Sequence, residues 1–128
     1  MINLPGIVLI DDNKEDLDDL QESFTHNGYP CFSIHYKNND PDNETGIEHV
    51  NIEKIKPRVV ITDLNLTEQA QLTTQTLVSP IAKVLEKLKL DGPYILYFWS
   101  KNGELIEDVM NKIFERFKDI PLPLHYGL

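Results

Sequence analysis

Five residues of this 128-residue chain sit directly after apolar runs of strand length, which is where a fold can most easily present chemistry. Asp11 and Asp12 follow GIVLI (6–10), Asp63 follows RVVIT (58–62), and Ser100 with Lys101 follows YILYFW (94–99). If these runs are strands of one parallel sheet, three carboxylates, a hydroxyl and an ammonium meet at one edge despite their separation in sequence. Ligands of such sheets bind outside the carboxyl ends of the strands, where the strand order reverses. Carboxylates held close raise one another's pKa unless a cation neutralises them. Mg²⁺ suits this donor set, because it prefers oxygen and is held by one or two carboxylates together with substrate phosphate. One carboxylate can then attack a phosphoryl group while the cation and nearby donors stabilise the charge on the transferred oxygens. Asp63, alone at the end of a central strand, is the natural nucleophile.

The elements that must position these residues follow from the alternation of short apolar runs with amphipathic segments, the pattern of strand-helix units in an α/β fold. After the first run, Leu17, Leu20 and Phe24 are spaced as one face of a helix that Gly28 stops. CFSIHY (31–36) reads as the second strand, and KNNDPDNETG (37–46) as an exposed loop of turn formers. Ile47, Val50 and Ile55 suggest a short helix before Pro57, and RVVIT is the third strand. The polar segment after Asp63 has no clear period. Ser79 and Pro80 then read as cap and first-turn proline of a helix striped by Ile81, Val84, Leu85 and Leu88 and terminated by Asp91-Gly92-Pro93. YILYFW is the fourth strand. Ile106, Val109, Met110, Ile113, Phe114 and Phe117 stripe the next helix, which Pro121 closes off, and PLPLHYGL (121–128) supplies a short fifth strand. No helix covers that strand, which leaves room for the chain to be the N-terminal part of a longer protein.

Composition bounds the function classes. Hydrophobic residues make up 41% and charged residues 26%, the balance of one ordinary domain spanning residues 1–128. No apolar run spans a membrane and no secretory signal opens the sequence, so a cytoplasmic location is expected. A net charge of −9 opposes direct nucleic-acid binding, which needs a basic footprint. The single Cys31 has no disulfide partner and reads as a buried strand residue, and the scattered His26, His35, His49 and His125 offer no zinc spacing.

VLIDDN, VVITDLNL and YFWS, taken in this order, resemble the receiver domain of two-component response regulators. The resemblance covers nearly the whole chain as element order and only these motifs as sequence. It implies a flavodoxin-like, doubly wound parallel sheet of about five strands in the order 2-1-3-4-5, with the last helix absent or truncated. It also implies a phosphorelay role, in which Asp63 accepts phosphate from a histidine kinase or phosphotransfer protein and so switches an output domain or partner protein. Asp12 and Asp63 would bind Mg²⁺ directly, Asp11 through water, and the backbone carbonyl of Asn65 would complete the protein ligands. Ser100 would bond a phosphoryl oxygen. Such a domain is no conventional enzyme and at most catalyses its own phosphorylation and dephosphorylation.

The departures are also specific. The proline and glycine that follow the family's phosphoacceptor are missing from LNLTEQAQ, and the lysine at the end of its fifth strand is missing from PLPLHYGL. Lys101, the weaker site candidate, stands beside Ser100, and His125 falls roughly where the lysine belongs. These departures fit a degenerate receiver acting as a phosphorylation-independent interaction domain. A phosphohydrolase of the haloacid-dehalogenase type would need a second aspartate where Asn65 stands. Each residue also has a plainer reading: Asp11-Asp12 as the cap of the first helix, Asp63 as a turn residue, Ser100 as a helix cap, Lys101 as a solvated lysine and Trp99 as a packing or switch residue.

Overall fold

The computed structural model describes residues 6–38, 40–67, 73–101 and 103–128. Strands β1 (Ile7–Asp11), β2 (Cys31–His35), β3 (Val59–Asp63), β4 (Ile95–Trp99) and β5 (His125–Gly127) form one sheet in the order β2-β1-β3-β4-β5. Every pairing is parallel. This is the flavodoxin-like order, with its reversal between β1 and β3. Helices α1 (Lys14–His26), α2 (Thr74–Lys87) and α3 (Ile106–Arg116) fill the connections after β1, β3 and β4.

Burial divides the sheet into two faces. Val8, Ile10, Val60, Leu96 and Phe98 join the apolar stripes of α2 and α3 in the main core, which includes Ile81, Val84, Leu85, Val109, Met110 and Ile113. Leu9 and Leu17 are also buried but lie outside that cluster, so α1 packs on the opposite face. Its contacts are with β1 and β2.

Among the described residues between β2 and β3 no α-helix forms, contrary to the expectation at 47–55. Only a 3₁₀ turn, Ile52–Lys54, is present. Thr45 Oγ1 donates to Glu48 at 2.8 Å and accepts from the Ile47 N–H, and such local side-chain bonds compete with the helical ladder. Ile47, Ile52 and Ile55 nevertheless reach the core from turns.

Gly28 stops α1 as expected, at φ +85°, with Gly28 N–H donating to Thr25 O and Tyr29 N–H to Phe24 O. The boundaries of α2 differ at both ends. It begins at Thr74 under a reciprocal Thr73–Thr76 cap, so Pro80 lies inside the helix and Ser79 is not its cap. It stops at Leu88 followed by Lys89 at φ +49°, before the Asp91-Gly92-Pro93 segment is reached. Cys31 is only partly buried, because β2 is an edge strand. No helix among the described residues is long and apolar enough to cross a membrane.

Candidate functional site

The carboxyl ends of β1, β3 and β4 gather the predicted residues. Asp11 and Asp63 are the last residues of adjacent strands, and Asp63 pairs in register with Trp99. Oxygen atoms of Asp11, Asp12 and Asp63 all lie within 4.8 Å of one another. A cleft of about 410 Å³ is lined by these three together with Asn65, Trp99, Ser100 and Lys101. All six candidates, Asp11, Asp12, Asp63, Asn65, Ser100 and Lys101, therefore border one space.

Local bonding separates the site readings from the plainer ones. Asn13, not the aspartate pair, caps α1, its Oδ1 accepting from Asp16 N–H at 3.0 Å. Asp11 instead folds back to accept from Asn13 N–H at 2.9 Å and is buried to 7% exposure. Asp63 does make a turn, accepting from Asn65 N–H at 3.3 Å, but it lines the cleft as well. Ser100 is not the cap of α3, whose N-cap is Leu105 without a side-chain bond.

Burial is the main force holding the Asp63 carboxyl above the usual aspartate range, and the charge of Asp11 adds to it. A hydrogen bond with Asp12 and the N–H groups of Asn65 and Leu64 oppose the shift. Carboxylates this close repel one another when ionised, so the cluster as it stands is short of positive charge. An all-oxygen set at this spacing fits a hard divalent cation.

Two residues escaped the sequence reading. Asp16 and Asn13 also line the cleft. Their signal was the spacing Asn13-x-x-Asp16, an N-cap followed by a third-position acid on the helix whose start opens on the site. His35, given no role, bonds the carbonyl of Asp12 through Nε2 at 2.9 Å. Part of the polar connection after Asp63, residues 68–72, lies outside the described residues; Leu64 and Leu66 before it are buried.

His125 does not stand where the fifth-strand lysine was sought. It pairs with Ile95, at the opposite end of β4 from Trp99, and packs edge-on against Tyr97. The last pairing of β5 is Tyr97 with Gly127, so the place level with Trp99 and Asp63 falls one position past Leu128.

No family profile and no curated protein matches the sequence. Among solved structures, the chain is similar to the signal receiver domain of a modulated diguanylate cyclase from Desulfovibrio desulfuricans G20. The identity is 16% and the TM-score 0.49, and the match covers 97% of this chain and 80% of that one.

Proposed function

We propose that this chain, which has the fold of a receiver domain, is a phosphoacceptor switch that takes a phosphoryl group on Asp63 with Mg²⁺ in the site. The observation that carries this reading is the convergence of Asp11, Asp12 and Asp63 within 4.8 Å at the point where strand order reverses. When bound, Mg²⁺ supplies the positive charge that the cluster lacks and that the phosphoryl oxygens require. Asp12 and Asp63 would hold it directly, Asp11 through water and Asn65 by its backbone carbonyl.

The remaining roles belong to the chain's own atoms. A carboxylate oxygen of Asp63 attacks phosphorus as the bond from phosphorus to the donor breaks. With a phosphohistidine donor, the imidazole nitrogen keeps the electron pair; with acetyl phosphate, acetate leaves. Hydrolysis reverses the state: water attacks phosphorus, the aspartyl oxygen leaves with its electron pair, and inorganic phosphate is released. Burial and the charge of Asp11 hold the Asp63 carboxyl above its usual range, and bound positive charge would oppose that shift. Ser100 would donate its hydroxyl to a phosphoryl oxygen and Lys101 would set its charge beside it. The phosphorylated edge then alters the surface read by an output domain or partner, with a histidine kinase or phosphotransfer protein as phosphodonor in the cytoplasm.

The competing reading, a phosphorylation-independent interaction domain, draws on the missing lysine and on the altered loop after Asp63. Acetyl phosphate and Mg²⁺ followed by intact mass measurement decide between them. One added phosphoryl group that disappears in Asp63→Asn supports the switch, whereas an unchanged mass sinks it.

A further inference from the structure

Two of the three carboxylates in the site are carried by strands. Asp11 and Asp63 end β1 and β3, whereas Asp12 is the first residue past β1 and precedes Asn13, the cap of α1. The direction of Asp12 is therefore set by a turn and not by the sheet. Three hydrogen bonds pin that turn. The Asp11 carbonyl accepts from Tyr36 N–H at 2.9 Å, which carries the β1–β2 ladder just past its last register pair, Asp11 with His35. Asn13 N–H donates to Asp11 Oδ1 at 2.9 Å. Between them the Asp12 carbonyl is met by His35 Nε2 at 2.9 Å. A carbonyl oxygen can only accept, so Nε2 carries the hydrogen.

The imidazole thus extends the grip of β2 on the β1 chain by one peptide group, at the residue that leaves the sheet. His35 is itself well placed to hold it. It ends β2, and Gly46, at φ +77°, lies so close to its carbonyl that an added Cβ would come 2.5 Å from the oxygen. His35 is not among the residues lining the acidic cleft; it borders a neighbouring cavity of about 380 Å³ that Asp12 shares, so any effect on the cleft passes through Asp12. We infer that His35 is a positioning residue of the acidic site, holding Asp12 at the spacing from Asp11 and Asp63 at which the three can take a divalent cation. This rests on the Mg²⁺-dependent reading above and adds to it a side chain that touches neither cation nor phosphoryl group. Loss of a hydrogen bond that orients a metal-holding group typically weakens the metal by about 10- to 100-fold.

The test titrates Mg²⁺ into the parent chain, His35→Leu and His35→Gln, following Trp99 fluorescence and backbone amide shifts. Leucine keeps bulk without a donor, and glutamine keeps an N–H that reaches about as far as Nε2. His35→Leu should weaken Mg²⁺ about tenfold and, before metal is added, shift the amides of Asp12 and Asn13. His35→Gln should restore most of the affinity, which a role in stability alone does not require. In the unaltered metal-free protein, the imidazole ¹⁵N spectrum should show hydrogen on Nε2. Equal Mg²⁺ affinity in parent and His35→Leu, a glutamine variant as weak as the leucine one, or hydrogen on Nδ1 alone overturns the inference. If His35→Leu fails to fold by circular dichroism, His35→Asn takes its place with the same expectation, since its shorter amide falls short of the Asp12 carbonyl. A parent and His35→Leu that bind Mg²⁺ equally and both gain a phosphoryl group on Asp63 remove the role of His35 and leave the phosphoacceptor reading standing; a parent that binds no Mg²⁺ removes both.

Discussion

Asp11 and Asp63 close two neighbouring parallel strands at the same level, and their carboxyl oxygens lie within 4.8 Å with Asp12 beside them. The fold therefore forces acids together at the cost of its own stability. Burial and Asp11 raise the pKa of Asp63 in the folded state. A raised carboxyl pKa gives stability that is fully present below the unfolded value and is lost as pH rises through the folded value.

The first expected outcome concerns that penalty. Asp63→Asn should stabilise the metal-free domain at pH 7 by about 1 kcal/mol, the usual sign where a functional site sacrifices stability. The gain should shrink as pH falls below the unfolded aspartate value of about 3.9. Urea denaturation of both proteins across pH measures it. A variant less stable than the parent at pH 7 would contradict the account.

A second prediction addresses the strap between β2 and β3. Tyr36 O–H donates to Glu44 Oε1 at 2.9 Å, and Lys83 of α2 meets Glu44 Oε2 at 2.7 Å. The hydrogen bond from Lys83 is the largest cause holding the Glu44 carboxyl below its ordinary range, with Tyr36 assisting. A depressed carboxyl pKa contributes stability above the unfolded value and loses it in acid. Lys83→Ala should therefore cost about 0.5–1 kcal/mol at pH 7, as a partly exposed pair does, and the difference should fade as pH drops below about 4. Hydrogen exchange at residues 40–46 should quicken in the same variant.

Gly46 allows a third. It sits at φ +77°, and an added Cβ would lie 2.5 Å from the His35 carbonyl oxygen. Both the left-handed backbone and the close carbonyl oppose a side chain, so Gly46→Ala should destabilise by about 2 kcal/mol or more. Thermal melts check it, and an unchanged midpoint would mean that this turn relaxes freely.

The parts legible beforehand were those in which period and position act together. The strand cores, the stripes of α2 and α3 and the Gly28 stop follow from local sequence, and so does the sheet-edge convergence of Asp11, Asp12, Asp63 and Ser100. The start of α2 was not legible, because its cap pairs Thr73 with Thr76 where the familiar signal has Glu or Gln, and Ser79-Pro80 imitates a helix start more strongly. The segment before β3 carries helix-like apolar spacing, yet side-chain bonds at Thr45 and Glu48 hold it in turns. The place of His125 depended on the register of β5, which no local pattern states.

That cap supplies a fourth expectation. The Thr73 side chain accepts from Thr76 N–H at 3.2 Å, and Thr76 Oγ1 accepts from Thr73 N–H. Pro80 already denies the same helix one backbone donor, so its first turns depend on the cap. Thr73→Ala should cost about 1 kcal/mol and lower the melting midpoint by about 4 °C. Ser79→Ala, at the position that only resembles a cap, should leave the midpoint unchanged.

The last prediction uses the only tryptophan as a reporter of the acidic edge. Trp99 lines the same cleft as Asp11, Asp12 and Asp63, so Mg²⁺ entering among the carboxylates changes the field and solvent at its indole. Titration with MgCl₂ should give a saturable fluorescence change, and saturating metal should raise the thermal midpoint, since a ligand at a hundred times its dissociation constant adds about 2.7 kcal/mol. Asp11→Asn, which removes a group proposed to act through water, should weaken Mg²⁺ about tenfold. Ser100→Ala should leave Mg²⁺ affinity unchanged but lower phosphoryl occupancy of Asp63, as expected of a hydroxyl proposed to donate to a phosphoryl oxygen. Equal loss of metal affinity in both variants would mean that Ser100 organises the carboxylates, and its assignment to the phosphoryl group would then be wrong.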